Sequence, residues 1–153
     1  MNFTVEEIPD YRIAYVRKTG PYGPANAEAM ERMKDWAAAQ GKLTGNAILF
    51  GIPQDHPSAT PPEKCRYDAA LVIAAGDATD ESVCEGILRG GTYAVVRIGH
   101  TPEEVRQAWA EIFPALQDRG FEPEDRPVME RYRGELLRKH QCEICVPVKG
   151  AKE

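Results

Sequence analysis

The chain has 153 residues, 42% hydrophobic and 28% charged, with a formal net charge of −5, the size and balance of one globular domain that buries a core. The acidic balance argues against direct nucleic-acid binding, which needs an excess of Lys and Arg facing phosphates. No apolar run approaches membrane-spanning length, and the N-terminus "MNFTVEEIPDY" lacks the basic and apolar regions of a leader, so a cytoplasmic protein without membrane attachment is expected.

In chain order, Val5–Ile8 and Ile13–Lys18 read as strands, being short, rich in β-branched and aromatic residues, and bounded by turn residues. The window "NAEAMERMKDWAAAQG" repeats apolar residues at helical spacing (Ala29, Met30, Met33, Trp36, Ala37) and predicts a helix stopped by Gly41. Strands at Ile48–Ile52, Tyr67–Ala74, Gly86–Arg89 and Tyr93–Ile98 follow. A second helix is predicted from "TPEEVRQAWAEIFPALQDRG". Thr101 is its N-cap, Pro102 suits its first position, Glu104 completes a capping box, and Gly120 ends it. Its buried stripe is Val105, Ala108, Trp109, Ile112 and Leu116. Pro114 should kink it, because the ring meets the carbonyl of residue 110. Val128–Arg133 and Glu143–Val148 are the last strands, and Pro147 suggests that the final one is an edge or carries a bulge.

The segment "IAYVR" (Ile13 to Arg17) resembles "YAVVR" (Tyr93 to Arg97). Each is followed by a turn, a Trp-bearing helix ending in Gly, and two further strands, the second opening with an acid ("YDAALV", "CEICVP"). The simplest reading is a duplicated strand–helix–strand–strand unit, because one half alone cannot bury both its helix stripe and its sheet. The expected fold is α+β: an antiparallel sheet backed by two helices, with the other face open as a central cleft between halves related by a pseudo-twofold axis.

Strand alternation assigns the faces. In the last strand Cys142, Ile144, Val146 and Val148 point to one side and Glu143, Cys145 and Pro147 to the other. The two cysteines of "CEIC" therefore cannot chelate one metal, and with Cys65 and Cys84 they show no disulfide or zinc spacing. Reduced thiols and no metal are expected. The apolar side, carrying also Ala14, Val16, Ala69, Leu71, Ile73, Ala94, Val96 and Ile98, should sit on the helices. The opposite side is expected to hold Ile13, Tyr15, Phe50, Ile52, Tyr93, Glu130, Tyr132 and Glu143. Aromatic rings with carboxylates suit an apolar or cationic ligand; the competing reading is a solvated acid beside ordinary cross-strand aromatic pairs.

The motifs "PQDHPSATPPEKCRYDAALVI", "GGTYAVVRIGH", "WAEIFPAL", "VMERYRG" and "CEICVPVK", in this order, resemble the GyrI-like domain family. These small-molecule-binding modules occur in bacterial DNA gyrase inhibitory proteins and in effector domains of AraC-type transcription activators. The resemblance covers nearly the whole chain. It implies one domain over 1–153, built of duplicated β-α-β-β (SHS2-like) units at about 3–75 and 84–149, with no cofactor. It implies a cleft with Glu143 at its floor, aromatic walls from Tyr132, Trp109 and Tyr93, and Glu130 as a second carboxylate. With Tyr15, Phe50 and Phe113 these form the candidate ligand-binding set. The sequence starts at the first strand without a DNA-binding segment, so a stand-alone module is expected.

Three functional types follow from the resemblance. The first is sequestration of hydrophobic, often cationic compounds, such as drugs or toxins. The second is hydrolysis of reactive cyclopropane-type toxins, with Glu143 as general acid or base and Tyr132 assisting. The third is interaction with DNA gyrase. His56 and His100 sit in turns and His140 precedes a strand, so no nucleophile–histidine arrangement is supported.

Overall fold

The computed structural model describes residues 1–149; residues 150–153 of the expected domain lie outside the described residues. The elements run β1 (Phe3–Ile8), β2 (Tyr11–Thr19), α1 (Ala25–Ala39), β3 (Ile48–Pro53), β4 (Arg66–Val72), β5 (Cys84–Leu88), β6 (Gly91–Gly99), α2 (Pro102–Asp118), β7 (Met129–Arg133), α3 (Gly134–Leu137) and β8 (Gln141–Pro147), with a 3₁₀ turn at Pro62–Lys64. All the strands expected from alternation form, within a few residues of their expected bounds. Among the described residues no helix is long and apolar enough to cross a membrane.

Local chemistry sets the helix ends. Thr101 Oγ1 accepts from the Glu104 amide at 3.2 Å, and Pro102 occupies the first turn, where its missing N–H costs nothing. Both long helices stop at a glycine in the left-handed region, Gly41 at φ 68° and Gly120 at φ 76°, which lets the chain turn back onto the last carbonyls. α2 continues as one helix through Pro114.

The eight strands form one antiparallel sheet in the order β1-β6-β8-β7-β3-β4-β2-β5. The order β6-β8-β7 on one side of the central β7–β3 pair mirrors β2-β4-β3 on the other. β1 and β2 stand far apart in this order, yet only Pro9 and Asp10 connect them; Arg89 and Gly90 likewise connect β5 to β6. A two-residue link spans at most about 11 Å, so the sheet must curl until its ends meet, as a half-barrel. At the meeting point the Gly90 amide donates to Asp10 Oδ1 at 2.7 Å.

The curl overturns one expectation about the inner face. Ile8, Ile13, Phe50, Ile52, Tyr93, Val95, Met129 and Cys145 pack there against one another as a core of their own. Left open, that face would expose a large apolar patch; closing it contributes about 1.5–3 kcal/mol per large side chain. On the outer face α1 covers Ala14, Val16, Ala69 and Leu71, and α2 covers Ala94, Val96, Ile144 and Val146. The expectation for β8 also changes. It lies between β6 and β7 in the interior of the sheet, and Pro147 is tolerated because it is the strand's last residue, after which the Val148 amide resumes hydrogen bonding to Thr92 O at 3.0 Å.

Candidate functional site

The open groove lies on the helix face. α1 presents Met30 and Lys34, four residues apart and so on one side of the helix. The sheet below supplies Tyr67 from β4 and Glu130 and Tyr132 from β7, and His100 closes the far wall. Together they enclose about 330 Å³, within the range of small-ligand pockets. Gly51 is the cross-strand partner of Glu130, and a Cβ there would fall 2.4 Å from Tyr67 Oη. Glycine at this position is what lets the Tyr67 ring cross the floor beside the carboxylate.

Glu130 is half-buried and held by neutral donors: Trp109 Nε1 donates to Oε2 at 2.9 Å, and the Tyr132 hydroxyl donates to Oε1. Among the described residues no Lys or Arg forms an ion pair with it. Lys34 Nζ instead lies 3.5 Å from Glu31 Oε1. Burial first, and the Glu130 charge second, push the phenol pKa values of Tyr67 and Tyr132 well above the ordinary tyrosine range, so both hydroxyls stay protonated as donors. The His100 ring lies 5.3 Å from that of Tyr132, and burial lowers its pKa, favouring the neutral imidazole. A carboxylate with neutral hydrogen-bond donors thus sits among rings whose faces are electron-rich.

Glu143 occupies the opposite face. Its side chain is 5% exposed, as is that of Arg131. Arg131 Nε donates to Glu143 Oε1 at 2.9 Å while its two terminal nitrogens grip Glu6 at 3.0 and 2.9 Å. Arg133 Nη2 donates to Glu143 Oε2 at 3.0 Å. Burial opposes the Arg131 charge, but the hydrogen bonds to Glu6 and Glu143 outweigh it and raise its pKa. The charge of Glu143 is neutralised in place.

The structure therefore brings Glu130, Tyr132 and Trp109 together and separates the rest of the expected set. Register makes Glu130 the partner of Ile144 and Arg131 the partner of Glu143; Glu130 and Tyr132 face the helices, which corrects their assignment to the same side as Glu143. Glu143 and Tyr132, paired in the hydrolytic reading, cannot address one molecule from opposite faces. Phe50 and Tyr93 are 0% and 2% exposed in the inner core. Tyr15 packs toward Gly86 near the β5 edge. Phe113 is 43% exposed on α2, one turn beyond Trp109. Cys142 and Cys145 do fall on opposite faces, and burial pushes both thiols up to about 12, which keeps them protonated and unreactive.

Sequence reasoning missed Tyr67, His100, Met30, Lys34 and Gly51. Tyr67 was within reach, since it alternates with Ala69 and Leu71, both assigned to the helix side. Nothing local marks Gly51, whose role depends on a ring from the neighbouring strand.

A sequence model of the family described as GyrI-like small molecule binding domain matches residues 1–149. The chain is 40% identical over 149 residues to YosT, a protein of Bacillus subtilis (strain 168) named as an SPbeta prophage-derived transcriptional regulator, covering 97% of this chain and 99% of that one. It is 30% identical over 145 residues to a DNA gyrase inhibitor of Edwardsiella ictaluri, covering 88% and 89%. Among solved structures it resembles SAV2435 bound to tetraphenylphosphonium, with a TM-score of 0.61 at 18% identity over 98% of this chain and 95% of that one; at that identity the likeness shows the fold.

Proposed function

The chain belongs to the family of GyrI-like small molecule binding domains, and from that premise we propose that its helix-face groove captures lipophilic organic cations and so sequesters drugs or toxins in the cytoplasm. The observation that carries this reading is Glu130: a carboxylate at the groove floor whose two hydrogen-bond donors are neutral. A permanent cation lowered onto it gains an uncompensated charge at reduced dielectric, and its hydrocarbon shell gains ring contact with Tyr67, Tyr132 and His100. Aromatic walls with one carboxylate free of ion pairs among the described residues impose few directional demands, so a broad ligand range is expected. The halves 3–75 and 84–149, with their mirrored strand order, are read as repeats that meet at this floor.

The test is calorimetric titration of tetraphenylphosphonium into the parent protein and Glu130→Gln. The expected result is saturable binding, weakened about tenfold or more by loss of the charge. Absence of saturable binding, or equal affinity in the variant, would overturn it.

A second reading, modulation of DNA gyrase, is favoured by the name of the Edwardsiella ictaluri relative. It predicts gyrase inhibition that survives Glu130→Gln.

A further inference from the structure

The inner face of the half-barrel ends in a second concavity of about 620 Å³, walled by β1, β6 and β8. Asn2 and Thr4 line its rim, with Glu6, Arg97, Arg133 and Glu143 around its base. Three guanidiniums meet here: Arg97, Arg131 and Arg133. Among the described residues only two carboxylates do, Glu6 and Glu143.

Both oxygens of Glu6 accept from Arg131. Glu143 accepts from Arg131 through one oxygen and from Arg133 through the other. Arg97 is the direct cross-strand neighbour of Glu143, the position at which opposite charges ordinarily pair. Yet among the described residues no carboxylate forms an ion pair with it, because Arg131 and Arg133 hold Glu143 already. The cleft therefore keeps one positive charge in excess within a protein of net charge −5, and a concave wall concentrates that field.

We infer that this inner cleft is a second ligand site, one that binds the carboxylate or phosphate group of a small organic anion through Arg97, with Arg133, Thr4 and Asn2 alongside. A guanidinium presents paired N–H groups that match two oxygens of either oxyanion. The volume admits a molecule larger than the bare ion, and Val95 supplies an apolar wall for its body. The site stands back to back with the groove. Along β7, Glu130 and Tyr132 serve one face while Arg131 and Arg133 serve the other, so one strand separates a cation site from an anion site.

The test is NMR titration of inorganic phosphate and, separately, benzoate into the full chain at low salt, following arginine side-chain N–H signals, with Arg97→Gln in parallel. Arg97 is exposed and forms no ion pair among the described residues, so the variant should fold, as an unchanged melting temperature will show. The expected result is saturable shifts with at least one probe, about tenfold or more weaker in Arg97→Gln and weakened further by added salt. Phosphate binding alone identifies a phosphate ester as the class, and benzoate binding alone a carboxylate. No saturation with either probe, or the same affinity in Arg97→Gln, overturns the inference.

Discussion

Two acids, Glu130 and Glu143, sit on neighbouring strands of one sheet with opposite electrical consequences. Glu143 is the more deeply buried, and two arginines neutralise it. Glu130 receives hydrogen bonds from an indole and a phenol, neither of which carries charge. Burial of a carboxylate by itself therefore says little about a cation site. What decides is whether its donors satisfy its lone pairs with or without cancelling its charge.

The contrast breaks most visibly at Arg131. Arg131→Ala strands Glu143 in the sheet and releases Glu6, and should cost about 3–5 kcal/mol, the usual penalty for leaving a buried charge unpaired; urea unfolding measures it. A stable variant would mean that Arg133 alone suffices. Next comes ligand affinity. Glu130→Gln should lower tetraphenylphosphonium affinity about tenfold or more, whereas Glu143→Gln should leave it within about threefold, since that charge is cancelled and faces away. The reverse ranking would return the site to the inner face. Gly51→Ala should cost about 1–3 kcal/mol by driving a methyl into the Tyr67 hydroxyl, and should alter the groove without touching the Glu6–Arg131–Glu143 network; paired thermal melts and titrations separate the two effects.

The smallest expected effect is in pH dependence. Burial lowers the His100 pKa from its ordinary 6.5, so the unfolded chain takes up that proton before the folded one. His100 thus leaves stability intact above 6.5 and erodes it as pH falls from there toward the folded pKa. Glu6 acts at lower pH: the hydrogen bond from Arg131 lowers its pKa from 4.5, so its contribution is complete above 4.5 and is lost as pH falls through the folded value. A His100→Asn variant should flatten only the upper part of the stability profile, and protonation of His100 should also weaken cation capture. An unchanged upper limb in the variant would place the titration elsewhere.

Strands and helices were legible because each carries its own period and its own stops: "TPEE" before α2, and Gly41 and Gly120 after the helices. The parity of β8 was legible too, since Ile144, Val146 and Val148 form an unbroken apolar row. β7 was not. In "VMERYR" both rows are mixed, Met129 with two arginines against Val128 with an acid and a tyrosine, and arginines read as solvated. Arg131 is buried only because Glu6, 125 residues away, and Glu143 wait for it, a pairing no local pattern announces. The packed inner face escaped for a similar reason, since alternation reports which residues share a side but not whether the sheet curls over them.

The position of β8 has a consequence for how the chain is made. β8, which follows every other strand of the sheet in chain order, is inserted between β6 and β7, and β1, which precedes them, pairs among the described residues with β6 alone. Until residues 141–147 emerge, β6 and β7 each expose a bare edge, and the early half can assemble only β2, β3 and β4 with α1. Such late, long-range closure predicts slow and highly cooperative folding, and a nascent chain that invites intermolecular strand pairing until β8 arrives.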